Sequence, residues 1–156
     1  MTIAAASDQG LGEQHAAPRR PVAIAFADVV GYSTLMAADE NATHARWMAL
    51  LRSLIEPETE RRGGRIVDLA GDGVLAVFPG AAQALGWARA IQHGVRTGLE
   101  SADGAGAVPI ALRIGLHQGE VFEVGTRIFG DAVNFAARLQ THAAPGGIVL
   151  SERLRA

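Results

Sequence analysis

The chain has 156 residues, 49% of them apolar, and a formal charge of −2. That length buries one core rather than two, and a weakly negative balance gives no reason to expect nucleic-acid binding. Cysteine is absent, which excludes a disulfide framework, a thiolate zinc site and a thiol nucleophile, and accords with a reducing compartment.

Residues 1–20 are rich in Ala, Gly, Gln and charge and end at Pro18-Arg19-Arg20-Pro21, so a flexible tail is expected there and a single domain over 21–156. The opening Met-Thr-Ile-Ala-Ala-Ala-Ser-Asp has no basic n-region and no apolar run long enough for a signal peptide or a membrane span. A cytoplasmic location with no membrane association within this chain is expected.

The apolar run Val22 to Ala27 reads as a buried strand that delivers Asp28 to a glycine-containing loop. A helix follows, with Asp39 or Asn41 near its start and Trp47, Leu50, Leu51, Leu54 and Ile55 at helical spacing, until Gly63-Gly64 stops it. Arg65 to Ala70 and Val74 to Phe78 form a hairpin across the Asp72-Gly73 turn. Ala81 to Leu99 is a second helix, with Leu85, Trp87 or Ala88, and Ile91 facing the core; Ser101 to Ala107 is a polar connection. Ile110 to Leu116 and Glu120 to Val124 read as two strands, Asp131 to Gln140 as a helix and Gly147 to Leu150 as a short last strand. The order predicts an α+β, ferredoxin-like βαββαβ core, a mostly antiparallel sheet with helices on one face.

Asp28 and Asp72 each stand where a strand ends, and neighbouring strands would bring both carboxylates to one edge of the sheet. Oxygen-only ligation suits two Mg²⁺ or Mn²⁺ ions, which activate an attacking oxygen and steady phosphate charge. Asn134 and Arg138 are four apart and share a helix face. Taken singly, these residues have plainer readings: an Asp-Gly hairpin turn, a helix cap and a solvated helix face. The five histidines show no metal-ligand spacing, and Trp47 and Trp87 read as core or interface aromatics.

Four segments in this order resemble the class III adenylate/guanylate cyclase catalytic domain. They are Phe26-Ala-Asp-Val-Val-Gly-Tyr-Ser, Gly63-Gly-Arg-Ile-Val with Gly71-Asp-Gly, Arg113-Ile-Gly-Leu-His, and Gly130-Asp-Ala-Val-Asn-Phe-Ala-Ala-Arg138. The resemblance implies a fold related to polymerase palm domains and a head-to-tail homodimer with active sites across its interface. It implies metal binding at Asp28, Val29 and Asp72, with Asn134 orienting the ribose and Arg138 stabilising the transition state from the opposite protomer. The implied reaction converts ATP or GTP to the 3′,5′-cyclic monophosphate and pyrophosphate. The loop through Val30, Gly31, Tyr32 and Ser33 enters a helix start whose free N–H groups suit a triphosphate.

Asp68 and Arg127 depart from the adenylate cyclase pattern, which has lysine at the first position and aspartate or threonine at the second. Asp68 accepting and Arg127 donating match guanine, with its N1–H and N2 donors and O6 acceptor, better than adenine. The same pair joined across the interface would fill the base pocket. The competing reading is therefore a catalytically weak or inactive cyclase-like dimerisation or regulatory module. The chain ends at Ala156, before the family's closing strand pair, so the C-terminal part of the family domain is expected to be absent, with weaker phosphate neutralisation.

Overall fold

Strand β1, Arg20–Val29, alternates between two buried faces, and that alternation organises the molecule. The structure, a computed structural model, describes residues 18–98 and 109–155. Helices α1 (Tyr32–Ala38) and α2 (Glu40–Leu50) follow, then a π-helical turn (Leu51–Ile55) and α3 (Glu56–Arg61). Next come β2 (Arg65–Ala70), β3 (Gly73–Phe78), α4 (Ala81–Thr97) and β4 (Leu112–Val124). The chain continues through β5 (Arg127–Phe129), α5 (Asp131–Gln140), β6 (Ile148–Leu150) and α6 (Glu152–Arg155).

The strands lie in the order β2-β3-β1-β4-β5, with β6 also beside β4. β1 is antiparallel to both β3 and β4, whereas β6 runs parallel to β4. The order β2-β3-β1-β4 with two helical crossovers is the split βαβ plan.

Asp39 starts α2 by accepting a hydrogen bond from the Ala42 N–H at 3.0 Å, as expected of a capping aspartate. The helix then runs on through its π-helical turn into α3, where Pro57 lacks the N–H that a regular ladder would use. Thr59 Oγ1 accepts from Trp87 Nε1 at 2.9 Å and donates to the Ile55 carbonyl, tying α3 to α4 inside the core. Ala23, Ala25, Ala27 and Val29 of β1 pack with Trp47, Leu50, Ile55, Trp87 and Ile91 on this face. Trp87 is fully buried, and truncating such a side chain to alanine costs about 3–5 kcal/mol.

The core helices occupy one face of the sheet as the pattern predicts, but α5 packs on the other. There Val22 and Ile24 of β1 meet Leu75, Val77, Val121, Ala132 and Ala136. Gly115 and Gly119 of β4 make room for the helix. A Cβ at Gly115 would stand 2.5 Å from the Gln140 nitrogen and 2.9 Å from the Ala136 carbonyl, and one at Gly119 would stand 2.6 Å from the Ala132 Cβ.

Several boundaries differ from the sequence reading. The two expected strands Ile110 to Leu116 and Glu120 to Val124 are one, because Gly119 pairs with Val22 and lies under α5 instead of turning the chain. The second helix stops at Thr97, where Gly98 takes a left-handed conformation (φ 67°). Leu99 and the connection Ser101 to Ala107 lie outside the described residues, as do residues 1–17 of the expected tail. β5, only three residues long, and α1 carry too little pattern to be read from sequence.

Candidate active site

The ladder places Asp28 opposite Gly73 on one side and Arg113 on the other, so Asp72 in the β2–β3 turn comes beside it. The Val29 N–H donates to the Asp72 carbonyl at 3.2 Å and the Val30 N–H to the Ala111 carbonyl at 2.9 Å, fixing the end of β1. The Asp28 and Asp72 carboxyl groups are therefore close neighbours. Burial raises the Asp28 pKa to about 7, the neighbouring Asp72 carboxylate adds to the rise, and the Arg113 guanidinium opposes it.

Arg113 belongs to one of the matching segments, and the structure adds a position for it. The register sets it beside Asp28, and its Nε is buried without a hydrogen-bond partner among the described residues. Its signal in sequence was a cation inside an otherwise buried apolar strand. Among the described residues, no group of three or more His, Cys, Asp or Glu gathers to hold an ion. Two mutually repelling carboxylates without nitrogen or sulfur donors fit a hard divalent cation that also takes phosphate oxygens, as Mg²⁺ does.

Past Val30, Gly31 adopts a left-handed conformation (φ 64°) and opens α1 without a side-chain cap. Tyr32 and Ser33 are the first helical residues, and their N–H groups have no intrahelical acceptor.

Asp68 reaches the Asp28 face through a β-bulge. Ile66 pairs with Ala76 and Asp68 with Leu75, leaving Val67 as the extra residue. Without that residue Asp68 would point to the helical core. With it, Asp68, Leu75, Phe26 and Gly115 form one cross-strand row on the face that carries Asp28. Arg127 lies on β5, exposed, with its guanidinium carbon 5.8 Å from the Phe129 ring centre. Among the described residues of one protomer, no ion pair joins Asp68 to Arg127.

Asn134 and Arg138 line a cavity of about 1010 Å³ together with His117, Phe122, Phe135 and Arg153. Neither Asp28 nor Asp72 borders it. One protomer thus gathers the carboxylates at a strand edge and the asparagine–arginine pair on α5, in two separate places.

A sequence profile of the "Adenylate and Guanylate cyclase catalytic domain" matches residues 15–156. The chain belongs to this family. Among curated relatives, a Rhizobium meliloti (strain 1021) protein named "Putative adenylate cyclase 3" is 39% identical over 134 residues, covering 86% of this chain and 22% of its own length. The chain therefore spans about a fifth of that relative. The adenylate/guanylate cyclase/hydrolase of Silicibacter pomeroyi superposes with a TM-score of 0.78 at 40% identity, over 89% of this cyclase domain and 80% of that chain. A non-canonical dimeric guanylyl cyclase domain of the Blastocladiella emersonii RhoGC fusion protein superposes at 0.73 with 25% identity, over 88% and 83%. The mixed sheet-and-helix architecture is that of cyclase catalytic domains. No described helix of this domain is long and apolar enough to cross a membrane.

Proposed function

We propose that the chain is a metal-dependent purine nucleotide cyclase that turns ATP or GTP into the 3′,5′-cyclic monophosphate and pyrophosphate at the interface of a homodimer. The observation that carries this reading is the separation of the two half-sites, because the cavity that holds Asn134 and Arg138 lacks both aspartates. A head-to-tail second copy would supply them.

Asp28 and Asp72, with the Val29 backbone beside them, would hold Mg²⁺ or Mn²⁺. When bound, the ions supply a lowered pKa at the ribose 3′-hydroxyl and charge neutralisation on the phosphates. The chain's own groups do the positioning that in-line attack on the α-phosphorus needs. Gly31, Tyr32 and Ser33 would present backbone N–H groups to the triphosphate, whereas that of Val30, expected from the sequence to join them, is given to the Ala111 carbonyl. Arg113 adds a cation beside Asp28 to offset polyphosphate charge. Asn134 of the partner copy orients the ribose, and the planar fork of its Arg138 meets the equatorial oxygens of the phosphoryl group in the transition state.

The bulge at Val67 supports a role for Asp68 at the base, since it turns that carboxylate onto the Asp28 face. Asp68 accepting from guanine N1–H and N2, with Arg127 donating to O6, makes GTP the preferred purine. The second reading, a regulatory dimer that does not turn over, takes its support from the same swapped polarity. Purified protein given ATP and GTP separately with Mn²⁺ or Mg²⁺ tests the proposal. Cyclic product that requires the metal and disappears in Asp72→Ala is expected; a folded dimer that yields none leaves the regulatory reading.

A further inference from the structure

Phe135 lies between Asn134 and Arg138 on α5 and is 39% exposed, unusual for a phenylalanine without a docking partner in the protomer. It is not idle surface. Its ring centre is 4.4 Å from that of His117, tilted by 45°, and the Arg138 guanidinium carbon stands 5.8 Å from the same ring centre. His117 is buried on β4, with Nδ1 2.8 Å from Ser151 Oγ. That hydroxyl also accepts from the Leu154 N–H at 3.3 Å, so it caps α6. Ser151, His117, Phe135 and Arg138 all border the one cavity.

We propose that His117 and Phe135 are positioning residues that set the orientation of Arg138 for the transition state, an inference that rests on the cyclase reading above. An exposed arginine on a helix samples many rotamers, and an aromatic face beneath a guanidinium narrows them. Phe135 can serve as that face only if its own ring is held. The His117 ring holds it, and Ser151 holds the imidazole in turn. The order Ser151, His117, Phe135, Arg138 therefore joins the start of α6 to the cation that meets the reacting phosphorus. An arginine placed in advance loses less freedom on binding a transition state than one that must first be found among its rotamers.

Two measurements test this on the full chain, one of them independent of turnover. In NMR spectra, the Arg138 side-chain protons, assigned by their loss in Arg138→Lys, are expected at an upfield, ring-shifted position. That shift should collapse in Phe135→Leu, shrink in His117→Gln and persist in Phe135→Tyr. In steady-state assays, Phe135→Leu should lower kcat about tenfold with KM within about twofold, and Phe135→Tyr should restore most of the loss. An Arg138 shift indifferent to His117→Gln overturns the proposed coupling. A wild-type kcat in Phe135→Leu overturns its catalytic consequence. Absence of cyclic product from the wild-type chain would instead defeat the cyclase reading, and the catalytic half of this inference with it, while the NMR shifts still decide the geometry.

Discussion

Asp28 ends β1 opposite Gly73 and so stands beside Asp72, and burial together with that neighbouring carboxylate holds a proton on Asp28 that an isolated aspartate would have lost near neutrality. A divalent ion held by Asp28 and Asp72 would supply the positive charge that displaces this proton. Arg113, opposite Asp28, is the compensating charge the protein itself supplies.

The proton retained on Asp28 gives the metal-free protein a distinctive pH dependence. Asp28 titrates at about 7 when folded, against an ordinary value of 3.8, so between those values the native state binds more protons than the unfolded chain. Stability therefore falls as pH rises through this window. Urea midpoints in EDTA should show the decline in wild type and a weaker one in Asp28→Asn. Added Mg²⁺ should recover stability at the upper end. Parallel curves for the two proteins would contradict the account.

His117 contributes the opposite slope. Burial, and then the charge of Arg153, lower its pKa beneath the ordinary 6.5, so just below that pH the unfolded chain binds the extra proton. Stability contributed there rises with pH and is lost on acidification from about 6.5 downward. His117→Gln should flatten that part of the profile when compared with wild type by the same urea titration.

Base selection should respond to Asp68. Replacing the acceptor by a donor, Asp68→Lys, should move the ratio of kcat/KM for GTP over ATP toward ATP by about tenfold, the scale of one good hydrogen-bond pair to a base edge. An unchanged ratio in an active variant would remove Asp68 from the base.

Gly115→Ala tests how α5 is seated. The added Cβ meets backbone atoms, the Gln140 nitrogen and the Ala136 carbonyl, which cannot swing aside as a flexible side chain would. A loss of about 1–3 kcal/mol in stability is expected, together with a fall in kcat because Asn134 and Arg138 ride on the displaced helix. Thermal unfolding and turnover measured on the same preparation check both.

Much of this was legible because single residues announce their geometry. Asp-Gly at 72–73 marks a hairpin, Asp39 marks a helix start, and the apolar spacing of Asp131–Gln140 marks a helix at its observed bounds. The bulge at Val67 was not legible, because Ile66 and Val67 are both apolar and either could face the core. The continuity of β4 through Gly119 has no local signal for a related reason. Glycine signals a turn as readily as close packing, and only the position of α5 distinguishes them. The stack on Phe135 joins β4 to α5, a tertiary relationship with no local signature. Arg113 was visible as a charge in a buried strand but acquired meaning only from its register with Asp28.

The central claim is that one active site draws Asp28 and Asp72 from one copy and Asn134 and Arg138 from another, and mixing two inactive variants tests it most directly. Asp28→Ala and Arg138→Ala should each yield almost no cyclic nucleotide alone. Mixed in equal amounts and allowed to exchange subunits, half the dimers are hybrids with one intact site of two, so activity should recover to roughly a quarter of wild type. No recovery, despite subunit exchange shown by differently labelled copies, would contradict a site shared across the interface.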